Sequence, residues 1–138
     1  MRHLERTIEL ASRARGNTSP NPLVGAVVVK DEHVIGEGFH VAAGLPHAER
    51  EALAHCSEDP AGATMYVSLE PCAHHGRTPP CTDAIIAAGI GRVVVASDDP
   101  SRTAAGRGLG ILRDEGIRVD VHEGELARRA RLLNQPFR

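Results

Sequence analysis

The chain has 138 residues, 41% hydrophobic and 25% charged, with a formal net charge of -2. That suits one globular domain, residues 1–138, with enough chain to bury a core without disulfide staples. The balanced charge, and aromatics limited to Phe39, Tyr66 and Phe137, argue against a surface that grips phosphate backbones or stacks successive bases. No apolar run reaches the ~18 residues of a membrane span. The start, Met1-Arg2-His3-Leu4-Glu5, lacks the charged, apolar and small-residue regions of a signal peptide. A cytoplasmic protein that binds neither nucleic acid nor membrane is expected. In a reducing cytoplasm the three cysteines read as metal ligands or reactive groups before disulfides.

In chain order, Leu4, Thr7, Ile8 and Ala11 fall on one helical face, which predicts a helix over 4–14. The stretch Thr18-Ser19-Pro20-Asn21-Pro22 is a loop. Residues 23–30 form a Val-rich run that reads as a buried strand, Asp31-Glu32 as a turn, and 33–39 as the returning strand of a hairpin. A short helix is expected over 48–55, with Ala52 and Leu53 inward, and a strand over 63–69. Residues 71–80, with Gly76 and three prolines, read as a loop, followed by a helix over 82–88 closed by Gly89. Residues 92–96 form a strand and 97–102 a polar loop. A helix over 109–115 ends at Gly116, 117–121 is a strand and 125–133 a final helix. Glu123 and Glu125 precede Arg128, Arg129 and Arg131, so that basic cluster reads as a solvated helix face. The alternation after the hairpin predicts parallel strands with helices on both faces. The fold class expected is α/β, a three-layer α/β/α sandwich around a mixed five-stranded sheet.

Two segments carry chemistry. The first is His47-Ala48-Glu49; the second is Pro71-Cys72, with Cys81 after eight intervening residues. One imidazole and two thiolates suit Zn2+, and three protein ligands leave its fourth tetrahedral position open for water. A water so bound loses its proton near neutral pH. Glu49, two residues beyond His47, can reach that water without ligating the metal and can carry its proton to a leaving amine. A closed structural zinc site is the competing reading, and His74 or His75 could complete it. The order His-x-Glu, then Pro-Cys and a second Cys, is similar to that of zinc nucleobase deaminases, although their cysteines are usually two residues apart. Cys81 at the start of a helix would gain thiolate character from the helix dipole. Cys56 has no evident partner and reads as an inert thiol.

With Thr18-Ser19-Pro20-Asn21-Pro22-Leu23-Val24-Gly25, Gly36-Glu37-Gly38-Phe39-His40, His47-Ala48-Glu49 and the run from Leu69-Glu70-Pro71-Cys72 to Gly76-Arg77-Thr78-Pro79-Pro80-Cys81 in view, the chain resembles the deaminase domain of the bifunctional riboflavin-biosynthesis deaminase/reductases. The long loop between the cysteines is the most specific part. The resemblance implies the cytidine-deaminase fold. It implies hydrolytic loss of the 2-amino group of 2,5-diamino-6-(5-phosphoribosylamino)pyrimidin-4(3H)-one as ammonia. It places zinc on His47, Cys72 and Cys81, the catalytic acid at Glu49, and substrate contacts at Asn21, His40, His74 and Arg77. Read on their own, an amide at Asn21 can bond a pyrimidine edge and Arg77 can fork onto a phosphate, while each also suits a plain turn or surface role.

Two departures stand beside the resemblance. The family's Asp-Pro-Asn is Asp99-Pro100-Ser101 here, which keeps another nucleoside, base or specialised heterocycle open as substrate. The family also continues into an NADPH-dependent reductase, and no strand, Gly-rich turn and helix in this chain reads as a dinucleotide site. A separate reductase domain or chain is then an expected partner, and a homodimer stays open. Gly106-Arg107-Gly108 reads as a flexible loop or a phosphate cradle at a helix N-terminus. A non-catalytic, zinc-stabilised binding domain is the reading from outside enzymology.

Overall fold

The structure is a computed structural model. It describes residues 2–13, 24–39, 48–68, 81–96, 103–122 and 124–133, with backbone alone for 81, 103–108 and 130–133. The described elements are α1 (Arg2–Ser12), β1 (Gly25–Lys30), β2 (His33–Phe39), α2 (Ala48–Ala54), β3 (Thr64–Val67), α3 (Cys81–Ala88), β4 (Arg92–Ala96), α4 (Thr103–Asp114), β5 (Arg118–His122) and α5 (Glu125–Leu133).

The strands form one five-stranded sheet in the order β2-β1-β3-β4-β5. β1 runs antiparallel to both β2 and β3, while β3, β4 and β5 are mutually parallel. The sheet is therefore mixed, as the hairpin and the later alternation predict. Side chains alternate across it. Ala26, Val28, Met65, Val67, Val93 and Val95 face a core closed by Ala48 and Ala52 of α2, Ile85 of α3, and Leu109 and Leu112 of α4. On the opposite face, Val94 and Ala96 meet Leu4 and Ile8 of α1 and Leu126 and Ala127 of α5, and Val27 and Val29 meet Leu10. Three layers result, with α2, α3 and α4 on one side and α1 and α5 on the other.

Local chemistry accounts for the element boundaries. Thr7 lies on the buried face of α1 without cost because its hydroxyl donates to the Leu4 carbonyl at 2.5 Å. α3 and α4 end at Gly89 and Gly116, whose φ values of 79° and 84° are left-handed and favour glycine. The hairpin turn Asp31-Glu32 has φ values of 51° and 68°, the left-handed pair of a two-residue turn, here without glycine. β2 carries an irregularity where the register changes between Val28 and Val29.

One expectation is overturned. α4 begins at Thr103 rather than at 109, so Gly106-Arg107-Gly108 is helical backbone. It is neither a loop nor a helix start. Two glycines each cost a helix interior about 1 kcal/mol relative to alanine, which is why local sequence hides the first half of this helix. The exposed Arg128 and Arg129 fit the expected solvated face of α5. Among the described residues, no helix is long and apolar enough to cross a membrane.

Candidate active site

Strand directions gather the chemistry-bearing segments. Ala26 pairs with Val67, and Gly25 with Phe39, so the start of β1 and the ends of β2 and β3 lie side by side. The parallel β4 ends there as well. In sequence, Asn21 lies shortly before Gly25, His40 directly follows Phe39, Cys72 comes shortly after Ser68, and Asp99 shortly after Ala96. α2 runs back along β2, with Ala48 near Gly38 and Cys56 near Gly36, so its first turn lies at this same end. α3 finishes at the other end, where the Gly62 N–H donates to the Gly89 carbonyl at 2.8 Å and the Gly91 N–H donates to the Ala63 carbonyl at 2.9 Å. Its first residue, Cys81, therefore opens at the candidate site. Crevices at the carboxyl ends of parallel strands are the usual ligand sites of α/β folds.

Glu49, in the first turn of α2, is 3% exposed. A carboxyl group that deep is costly to bury without a task or a partner, and Glu49 does interact with a neighbour. It is the member of the expected site whose side chain falls among the described residues. Cys81 is placed by its backbone as the first residue of α3. His47, Cys72, Asn21, His40, His74 and Arg77 lie outside the described residues, as does Asp99-Pro100-Ser101. Among the described residues, no group of three His, Cys, Asp or Glu side chains could hold a metal ion.

The surroundings of Glu49 are fixed by contacts that motif reading does not reveal. α2 rests on β2 across Gly36 and Gly38. Between them, Glu37 points to the opposite face and takes a forked ion pair from Arg6 of α1, with Nε to Oε2 at 2.7 Å and Nη2 to Oε1 at 2.9 Å. The pair holds the Glu37 carboxyl below its ordinary range, chiefly through the Arg6 hydrogen bond. His55, at the far end of α2, lies with Nδ1 3.1 Å from the Glu37 carbonyl oxygen and donates in the tautomer with hydrogen there. The Cys56 Sγ donates to the Ala52 carbonyl at 3.4 Å, and burial raises its pKa. The thiol thus stays protonated at neutral pH, in keeping with an inert role. A separate hollow of about 420 Å³, lined by Arg2, His3, Val29, Asp31, Glu32, Thr64 and Tyr66, lies at the other end of the sheet.

Comparison with known proteins matches the same picture. The family model for the cytidine and deoxycytidylate deaminase zinc-binding region covers residues 1–97. The riboflavin biosynthesis protein RibD of Escherichia coli is 53% identical over 98% of this chain, which spans 36% of that protein. A solved structure titled as a diaminohydroxyphosphoribosylaminopyrimidine deaminase/5-amino-6-(5-phosphoribosylamino)uracil reductase, from Thermotoga maritima, superposes with a TM-score of 0.86 at 48% identity. That superposition covers 96% of this chain and 38% of that one. The dCMP deaminase of cyanophage S-TIM5 shares the fold, with a TM-score of 0.67 at 21% identity over 88% of this chain and 94% of that one. This chain is therefore similar to the part of the riboflavin proteins that holds their deaminase-like fold, and it belongs to the cytidine and deoxycytidylate deaminase zinc-binding family.

Proposed function

We propose that this domain, residues 1–138, deaminates 2,5-diamino-6-(5-phosphoribosylamino)pyrimidin-4(3H)-one by hydrolysis, working in the cytoplasm. The observation that carries the reading is the buried carboxyl of Glu49 in the first turn of α2, at the sheet end where α3 opens with Cys81. The similarity to riboflavin-biosynthesis proteins over nearly the whole chain supports the substrate.

The donor set suits zinc: His47 immediately precedes α2, Cys81 opens α3, and Cys72 follows β3. One nitrogen and two sulfurs are a usual zinc set with one position left open. When bound, zinc supplies the Lewis acidity that makes water acidic enough to be deprotonated near neutral pH. Glu49 accepts that proton as water adds to the ring carbon bearing the 2-amino group. Glu49 passes that proton to the ring nitrogen, then takes the proton of the added hydroxyl and delivers it to the departing amine, which leaves as ammonia as the ring carbon becomes a carbonyl. Burial serves this role, since a carboxyl shielded from solvent exchanges protons with the substrate rather than with bulk water. Asn21, His40 and His74 hold the pyrimidine, and Arg77 takes the phosphate. The product carries a ring carbonyl in place of the amine, and a reductase from another domain or chain uses it.

A second reading keeps the chemistry and changes the ring, because Asp99-Pro100-Ser101 departs from the Asp-Pro-Asn of the resembled family. Ammonia release from the diaminopyrimidine ribosylamino phosphate, with cytidine, deoxycytidine, adenosine and guanine alongside, separates the two. Turnover of the first compound alone supports the proposed substrate. Turnover of another compound in its place moves the assignment to that ring.

A further inference from the structure

We propose that Gly38 is a positioning residue for the first turn of α2: its missing side chain sets how closely the Glu49 turn lies on the sheet. The inference rests on the reading of Glu49 as the proton carrier.

A Cβ at Gly38 would lie 2.6 Å from the Ala48 carbonyl oxygen and 2.6 Å from the Glu51 Cβ, and would also strike the Ala52 backbone nitrogen. Two of these three atoms are backbone, so no rotamer change relieves the overlap and the helix itself must move. The residues struck flank Glu49 on both sides. Gly36 faces the same helix one turn later, where a Cβ would meet the Ala52 carbonyl oxygen and lie 2.9 Å from the Cys56 Sγ. Neither glycine is among the left-handed ones, so close approach rather than backbone conformation accounts for both.

Both positions meet the backbone of Ala52, and they differ in what else they meet: Ala48 and Glu51 at Gly38, Cys56 at Gly36. Gly38 seats the turn that carries Glu49 and follows His47; Gly36 seats the C-terminal end of α2 and Cys56 just beyond it. β2 is itself fixed to β1 by paired register and to α1 through Glu37 and Arg6, so a Cβ on it displaces α2 rather than the strand. Displacements near 1 Å at a reacting group cost about 10²-fold in rate, and disturbed supports of metal ligands cost about 10- to 100-fold in metal affinity.

The test compares Gly38→Ala with Gly36→Ala and the parent protein. Zinc affinity is read by chelator competition, kcat and KM by ammonia release, and backbone seating by amide exchange across residues 48–56. Gly38→Ala is expected to weaken zinc binding by about 10-fold or more, to lower kcat by about 10²-fold with little change in KM, and to speed exchange in the first turn of α2. Gly36→Ala is expected to lose stability comparably and to speed exchange near Cys56, with zinc affinity and kcat within about 3-fold of the parent, half a decade or about 0.7 kcal/mol.

Equal effects from both variants on zinc and kcat overturn the assignment, as does a folded Gly38→Ala that matches the parent. If Gly38→Ala does not fold in buffer, the comparison is made in a stabilising osmolyte. Failure to fold even there, with Gly36→Ala folded, assigns Gly38 to global stability and overturns the positioning role. A parent protein that binds no zinc sinks the functional reading instead, while amide exchange still decides whether Gly38 seats the turn.

Discussion

Ser68 and Gly25 close the candidate-site end of the sheet by exchanging hydrogen bonds: the Ser68 N–H donates to the Gly25 carbonyl at 3.1 Å, and the Gly25 N–H donates to Ser68 Oγ at 3.1 Å. A side-chain hydroxyl thus replaces the backbone acceptor at the last rung between β1 and β3. Ser68 is buried, so Ser68→Ala leaves a buried N–H without its acceptor. The expected loss is about 1–3 kcal/mol, read from urea midpoints at unchanged m-value. Faster amide exchange at Gly25 should accompany it. An unchanged midpoint would mean that the hydroxyl adds nothing to the rung.

The Arg6–Glu37 fork makes stability depend on acid. Glu37 has its folded pKa lowered, first by the Arg6 hydrogen bond. Its contribution is therefore present above the ordinary carboxylate range, near 4.3, and is lost as pH falls through the depressed folded value. Asp120, lowered chiefly by the Arg92 hydrogen bond, acts in the same direction. Glu37→Gln is expected to cost about 1 kcal/mol or less at neutral pH, with the gap to the parent shrinking as pH drops below about 4. Urea midpoints across that range check the sign. A gap that widens toward acid contradicts it.

Glu32 holds a left-handed φ of 68° in the β1–β2 turn, a conformation that favours glycine. Left-handed backbone costs a residue with a Cβ about 1–2 kcal/mol, partly offset by the greater freedom of glycine in the unfolded chain. Glu32→Gly is expected to raise stability by about 0.5–1 kcal/mol without touching the candidate site. A lower thermal midpoint would show that Glu32 makes a contact worth more than its backbone conformation costs.

Much of this architecture is legible in the sequence because buried faces are periodic. Leu4, Thr7, Ile8 and Ala11 predict the inner face of α1, and the structure adds Leu10, whose contact with Val27 and Val29 widens that face. The central valines of β1 and β4 announce strands buried on both sides, and the hairpin follows from Asp31-Glu32 between two such runs. Only the first half of α4 is hidden, because Gly106 and Gly108 lower its local propensity, whereas the half that carries Leu109 and Leu112 reads as helix. For the candidate site, the sequence marks Glu49, and the structure places it buried in the first turn of α2. The seat of α2 on Gly36 and Gly38 is not legible, since a glycine in a strand does not announce which helix crosses it. The rung between Ser68 and Gly25 joins residues 43 positions apart, beyond any local pattern.

The measurement that bears most directly on the central claim is ammonia release by the zinc-loaded protein and its Glu49→Gln variant, with bound zinc determined in both. Glutamine keeps the shape of the buried side chain and removes its capacity to carry a proton. The account predicts unchanged zinc content and a fall in kcat of about 10²-fold or more. A Glu49→Gln protein that binds zinc and releases ammonia at the parent rate would contradict it.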